Sequence, residues 1–313
     1  MTTPTGQPTT VVYSTPVATG GAPPLTGPSC TPAADFLFPV GSTPVTCTVT
    51  DSRQRPATCT FQVTVIAPPK LTVTRFVAFG DSMTAGEDGN NSLASAIGRI
   101  QVFVSSPYPS LLRTLLAARY TTQSQSIVVA NQGRSGEPLA RRSAALPPPA
   151  PARFSQVIAG GQYDVALILE GANDLQNRDD KDIPPAVEAL RTMTLDARSR
   201  GMKVVLATLP PENPAGKYGS PYIEVRTFNA QLKAMAAAEN VPVADVYTAF
   251  GGDTPNFALL GGDGLHPNQD GYQKIADTFL ATIRQNFEVA PPTTTSFSPL
   301  MMTPRAIAPA RRR

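Results

Sequence analysis

The feature that most constrains this chain is a change of period at about residue 70. Beyond it, apolar runs at 75–79, 126–130, 164–169, 203–208 and 242–246 alternate with helical stretches at 109–119, 184–200, 222–239 and 269–287. In the last of these, Tyr272, Ile275, Ala276, Phe279, Leu280 and Ile283 recur at the spacing that lines one face of an α-helix. Five buried strands alternating with helices predict an α/β domain, in which a parallel five-stranded sheet is covered on both faces. The domain is expected over residues 72–288, and no internal repeat is apparent in it.

Ahead of that change the pattern is β. Val45, Cys47 and Val49 alternate with threonines, as do Cys59, Phe61, Val63 and Val65, across the turn Asp51-Ser52-Arg53-Gln54-Arg55-Pro56. Period-2 alternation on both sides of a turn predicts a hairpin with one apolar face. Both Cys47 and Cys59 fall on that inward face, which implies a second sheet packed against it. The module is expected over residues 11–66. Residues 1–10 read as a disordered start, Ala67-Pro68-Pro69-Lys70 as part of a stiff linker over 67–71, and residues 289–313 as a disordered tail.

The segments Phe38-Pro39-Val40-Gly41-Ser42-Thr43-Pro44-Val45-Thr46-Cys47-Thr48-Val49-Thr50-Asp51 and Ala57-Thr58-Cys59-Thr60-Phe61-Gln62-Val63-Thr64-Val65 resemble the hyalin-repeat family. The resemblance implies an immunoglobulin-like β-sandwich that serves adhesion or spacing. The family usually carries a further upstream cysteine, absent here. A Cys30–Cys47 bridge with Cys59 unpaired is expected, with Cys47–Cys59 as the alternative.

Composition narrows the function classes. All three cysteines lie in the first 60 residues, which suits a disulfide-stapled module in an oxidising compartment. The first residues have neither the charged nor the apolar segment of a signal peptide, so a secreted or extracytoplasmic location is inferred from the cysteines. No apolar run approaches the ~20 residues of a membrane span. The formal net charge is +3, and removing Arg305, Arg311, Arg312 and Arg313 from it leaves −1, so no basic nucleic-acid footprint lies on a folded face. A single histidine, with no cysteine outside the β module, argues against a zinc site, and neither a P-loop nor a dinucleotide fingerprint is present. No cofactor is expected.

The chemistry gathers at strand ends. Phe76-Val77-Ala78-Phe79 runs directly into Gly80-Asp81-Ser82-Met83-Thr84-Ala85-Gly86, a buried strand followed by a tight turn and a helix start. That turn puts Ser82 at the carboxyl end of a strand, where open α/β sheets keep their ligand crevices. A serine hydroxyl needs a base to become a nucleophile, and His266 is the sole candidate. Asp263, three residues before it, is near enough in a turn to fix the imidazole tautomer. Donors to a developing oxyanion are the amide of Ser82, the amide of Gly133 in Asn131-Gln132-Gly133-Arg134-Ser135-Gly136, and the side chain of Asn173 in Gly171-Ala172-Asn173-Asp174. Asp81 is read as a helix cap, and Asp174 as a cap or brace of its loop.

These segments, with Asp263-Gly264-Leu265-His266-Pro267, resemble in order and spacing the four blocks of the SGNH, or GDSL, hydrolase family. The resemblance implies a flavodoxin-like three-layer α/β/α sandwich that hydrolyses esters. It implies Ser82 as nucleophile, His266 as base, Asp263 as its orienting acid, and Ser82, Gly133 and Asn173 as the oxyanion hole. Met83 stands where leucine is commoner.

The expected function is a serine carboxylester hydrolase acting through an acyl-enzyme on small or short-acyl esters. A carbohydrate (acetyl) esterase and a non-catalytic adhesion or binding protein on the same scaffold are the alternatives. The expected partners are a small-molecule or carbohydrate ester, with surface or polysaccharide contact through the N-terminal module. Residues 87–106, 137–155 and 211–222 are the expected pocket walls. Leu93, Ile97, Ile100, Val102 and Phe103 read as an apolar acyl surface or a local mini-core. Arg134, Arg141 and Arg142 read as solvated, and Asp179-Asp180-Lys181-Asp182 as a helix start.

Overall fold

A computed structural model describes residues 1–3, 5–90, 102–140, 149–175, 180–218 and 222–289. The chain divides into two compact units, one containing Met1–Pro68 and the other Pro69–Val289.

In the first unit the strands are β1 (Thr9–Thr10), β2 (Thr26–Thr31), β3 (Leu37–Phe38), β4 (Gly41–Thr50) and β5 (Pro56–Val65). β2, β4 and β5 form an antiparallel sheet in that order, and β1 pairs antiparallel with β3. The β4–β5 turn is held by Asp51, whose Oδ1 accepts from the amides of Arg53 and Arg55 and whose Oδ2 meets the Arg55 guanidinium at 2.7 Å. Phe38, Val45, Cys47, Val63 and Val65 make the core. Cys30, Cys47 and Cys59 form one cross-strand row, and Cys30 is bonded to Cys47. Cys59 has the inward parity but is exposed, as are all of residues 56–60 on β5, an edge strand of this sheet. The first residues, expected to be disordered, instead join this unit. Thr9–Thr10 is a strand, and Met1 and Thr3 exchange backbone hydrogen bonds with Ile66.

In the second unit the elements are β6 (Lys70–Leu71), β7 (Arg75–Gly80), α1 (Ser82–Ala85), α2 (Tyr108–Arg119), β8 (Val128–Gly133), α3 (Ala150–Gly160), β9 (Val165–Leu169), α4 (Ala172–Leu175), α5 (Ile183–Ser199), β10 (Lys203–Ala207), α6 (Tyr222–Ala238), β11 (Val243–Ala244), α7 (Val246–Ala249), α8 (Gln269–Phe287) and β12 (Glu288–Val289). The main sheet is parallel, in the order β11-β10-β9-β7-β8. Every residue of β9 is buried, so the strand shows no alternation: helices cover both of its faces. α2 packs with α8, and α5 packs with both α3 and α6. α8 buries Tyr272, Ile275, Ala276, Phe279, Ile283 and Phe287, and the Phe279 ring stacks on Tyr108 at 5.2 Å. Each large apolar side chain so buried contributes about 1.5–3 kcal/mol, and truncating Phe279 to alanine would cost about 3–5 kcal/mol.

Two strands, β8 and β11, depart from expectation by more than one residue, and one long helix, α3, was not expected. β8 runs Val128–Gly133 rather than 126–130, because parallel pairing with β7 continues as far as Gly80 opposite Gly133. As an edge strand it is only partly buried, so polar Asn131 and Gln132 are accommodated. β11 stops at Ala244, because Asp245 caps α7 by accepting from the Thr248 amide. α3 starts at Ala150, inside the stretch 137–155 expected as a pocket wall, since proline is tolerated in a first helical turn.

Candidate active site

The turn after β7 is built by its own side chains. Asp81 is the N-cap of α1 and accepts from the Met83 amide at 2.9 Å. α1 closes on Gly86, whose φ of 97° is left-handed and whose amide donates to the Ser82 carbonyl. Thr84 donates to the Leu169 carbonyl at 3.2 Å, tying the turn to β9. Gly133 lies so close beneath α1 that a β-carbon there would fall 2.0 Å from the Ala85 nitrogen.

Ser82, at the first position of α1, is 5% exposed. Its Oγ is 2.8 Å from His266 Nε2, and His266 Nδ1 is 2.6 Å from Asp263 Oδ2. The other Asp263 oxygen accepts from the amides of Leu265 and His266. Burial acts to raise the Asp263 pKa, but the His266 contact and these two amides outweigh it and hold the carboxyl below its ordinary value. Burial acts to lower the His266 pKa, and the hydrogen bond and charge of Asp263, followed by Glu87 and Asp81, outweigh it and hold it above its ordinary value. The loop carrying this pair is laced on two sides: Asp263 donates its amide to the Gly89 carbonyl, and its own carbonyl accepts from Tyr218.

The oxyanion candidates stand at the ends of three adjacent strands. Ser82 follows β7, Gly133 ends β8, and Asn173 lies in α4 after β9. The Gly133 amide donates to Asn131 Oδ1 at 2.9 Å, and Asn173 Nδ2 donates to the Glu137 carbonyl at 3.0 Å. In the same loop the Gly136 amide has no hydrogen-bond partner among the described residues. Asp174 braces its surroundings as expected, accepting from the amides of Leu139 and Ala140 at 2.7 and 2.9 Å.

Other side chains at the site escaped the sequence reading. Glu87 Oε2 lies 3.4 Å from His266 Nε2, while the Glu87 carbonyl accepts from the Tyr272 hydroxyl at 2.6 Å. Glu170 is 1% exposed, and neither carboxyl oxygen has a hydrogen-bond partner among the described residues. Burial, with Asp81, Glu137 and Asp174 nearby, pushes its pKa well above the ordinary value. Burial likewise pushes Asp81 up to about 7. Of the expected pocket walls, Val102 and Phe103 are exposed. Leu93, Ile97, Ile100, Arg141 and Arg142 lie outside the described residues, as does the tail from 290 onward.

Residues 78–274, which hold the whole Ser82–His266–Asp263 arrangement, match the model of the GDSL-like Lipase/Acylhydrolase family. The chain belongs to that family. Its first 65 residues match the model of the HYR domain, in keeping with the hyalin-repeat resemblance. The GDSL lipase Rv0518 of Mycobacterium tuberculosis is 30% identical over 115 residues, which are 36% of this chain and 48% of that protein. The matched region thus spans about half the length of that curated relative. Among solved structures, a lipase/acylhydrolase from Enterococcus faecalis has a TM-score of 0.54 at 24% identity, covering 71% of this chain and 100% of that one. The native aryl esterase of M. smegmatis has a TM-score of 0.55 at 19% identity, covering 68% and 99%. Both likenesses show the fold: a five-stranded parallel sheet flanked by helices, as the sequence predicts. Among the described residues no helix is long and apolar enough to cross a membrane.

Proposed function

We propose that this GDSL-family chain is a serine carboxylester hydrolase, with Ser82 as nucleophile, His266 as general base and Asp263 as its orienting acid. The observation that carries the reading is the pair of contacts at the imidazole, Nε2 to Ser82 Oγ at 2.8 Å and Nδ1 to Asp263 Oδ2 at 2.6 Å. Ser82 Oγ bonds to the ester carbonyl carbon as its proton passes to Nε2. The tetrahedral oxyanion collapses, the C–O bond to the alcohol breaks, and Nε2–H protonates the departing oxygen. Water then attacks the acyl-enzyme, giving its proton to Nε2, and the carboxylic acid leaves as Ser82 regains its hydrogen.

We assign the amide of Ser82, the amide of Gly133 and the side chain of Asn173 as oxyanion donors. We assign short-acyl or small esters as the substrates, with Phe103, exposed and bridged in its backbone to Glu87, as the candidate apolar contact. The Cys30–Cys47 disulfide and the HYR match support an extracytoplasmic setting, with residues 11–66 as an accessory module and 72–288 as the hydrolase domain.

The test is a series of p-nitrophenyl esters from acetate to octanoate, run beside a serine-reactive phosphonate. Turnover of the short esters with phosphonate attached to Ser82 is expected. A folded Ser82→Ala variant that keeps its turnover would overturn the assignment.

A further inference from the structure

Beneath the site lies a buried ion pair that the reaction above does not use. Glu137 is fully buried and Arg153, on α3, has a side chain 18% exposed. Arg153 Nε lies 2.8 and 2.9 Å from the two Glu137 carboxyl oxygens, and its Nη2 also donates to Oε2. The same guanidinium donates from Nη1 to the Gln132 carbonyl at 3.0 Å and from Nη2 to the Gly80 carbonyl at 3.3 Å. Its carbon sits 4.0 Å from the centre of the Phe79 ring, and Phe154, the next residue of α3, meets Phe79 edge-on at 5.0 Å.

The acceptors stand at the three places the chemistry needs held. Gly80 is the last residue of β7, two before Ser82. Gln132 directly precedes Gly133. Glu137 directly follows Gly136, and its backbone carbonyl is the acceptor that orients Asn173 Nδ2. We infer that Arg153 is a positioning residue of this active site, setting through Glu137 and the Gly80 and Gln132 carbonyls the mutual geometry of the nucleophile turn and the oxyanion donors.

The chemistry of the pair argues the same way. Burying two charges carries a desolvation penalty that often cancels their attraction, so such a pair is weak evidence for stability. What it supplies is direction. The planar guanidinium offers five N–H donors in a fixed fork, which a lysine ammonium does not reproduce. Oxyanion stabilisation depends on donors that need no reorganisation, so a shift of the order of 1 Å in these segments is enough to lose about 10²-fold in rate.

The inference rests on the ester-hydrolase reading, and two readouts keep their failures apart. The first is steady-state kinetics on p-nitrophenyl acetate for Arg153→Lys, Arg153→Met, Glu137→Gln and the Glu137→Gln/Arg153→Met double variant, each with its thermal midpoint. Arg153→Lys, which keeps the charge, is expected to hold its midpoint near that of the parent while kcat falls ~10–100-fold and KM stays within about threefold. Because both residues act as a unit, the double variant should lose no more than the worse single one. Lysine and methionine variants with kcat within twofold of the parent would overturn the inference, as would losses that follow only the unfolded fraction. The second readout is amide hydrogen exchange of the full chain. Arg153→Met should speed exchange at Arg134 and Glu137 while leaving α5 and α8 protected, and unchanged exchange there overturns the inference even if the parent proves to have no esterase activity.

Discussion

Glu87 Oε2 stands 3.4 Å from His266 Nε2, the nitrogen that faces Ser82 Oγ at 2.8 Å. The imidazole is thus flanked by carboxylates, Asp263 on Nδ1 and Glu87 on Nε2. A base must be neutral to accept a proton, so activity is lost as the pH falls through the His266 pKa. Burial lowers that pKa, while Asp263 and then Glu87 raise it, with a net rise. Replacing Glu87 by Gln removes one raising charge, so the acid limb of kcat/KM should move to lower pH. A pH–rate profile on p-nitrophenyl acetate measures it, and an unmoved limb would remove Glu87 from the electrostatics of the base.

Loss of Ser82 or His266 should lower kcat by about 10⁴–10⁶-fold, since members of such a unit fail together. Asp263→Asn should lower it by about 10⁴-fold, because the amide favours the wrong imidazole tautomer. Circular dichroism of each variant must show the parent fold, and phosphonate labelling should vanish in Ser82→Ala.

Asn173→Ala should reduce kcat by about 10²–10³-fold, the size expected when one oxyanion donor is lost. Because Nδ2 is held by the Glu137 carbonyl, the donor is aimed before substrate arrives. Steady-state kinetics would show the loss mainly in kcat, and a loss confined to KM would reject the role.

Glu170 makes a prediction about stability. Its folded pKa is raised, chiefly by burial, above the ordinary value of about 4.3. The unfolded chain therefore releases this proton first, and stability present below the ordinary pKa is lost as pH climbs toward the folded one. Glu170→Gln carries no such proton, so its thermal midpoint should exceed the parent's at pH 8 and approach it at pH 4. Equal differences at both pH values would mean that Glu170 is ionised in the fold. Asp81, pushed up to about 7, has the same sign over the same direction of pH.

Much of the site was legible because its signals are local. Ser82 is presented by a turn whose cap, Asp81, and closing glycine, Gly86, lie within four residues of it. His266 is the only imidazole, and Asp263 is one turn away. α3 was missed because proline marks both loops and helix starts, and only packing of Ala150, Phe154 and Ile158 decides between them. Cys59 has inward parity, but parity sets a face and not what covers it.

Glu87, Glu170 and Arg153 belong to another kind of information. Glu87 meets a histidine at the far end of the domain, and Arg153 reaches carbonyls on two strands and a carboxylate in the loop between β8 and α3. The sequence by itself determined the alternation of strands and helices beyond residue 70, the turn that carries Ser82 and the single histidine available to it, since these follow from backbone geometry over a few residues and from composition. The tertiary structure alone decided which acids are buried, which amides Asn131 and Glu137 engage, and which arginine holds the strand ends. Those facts depend on contacts between segments far apart in the chain, and on a dielectric environment that exists only once the sheet and its helices have closed around them.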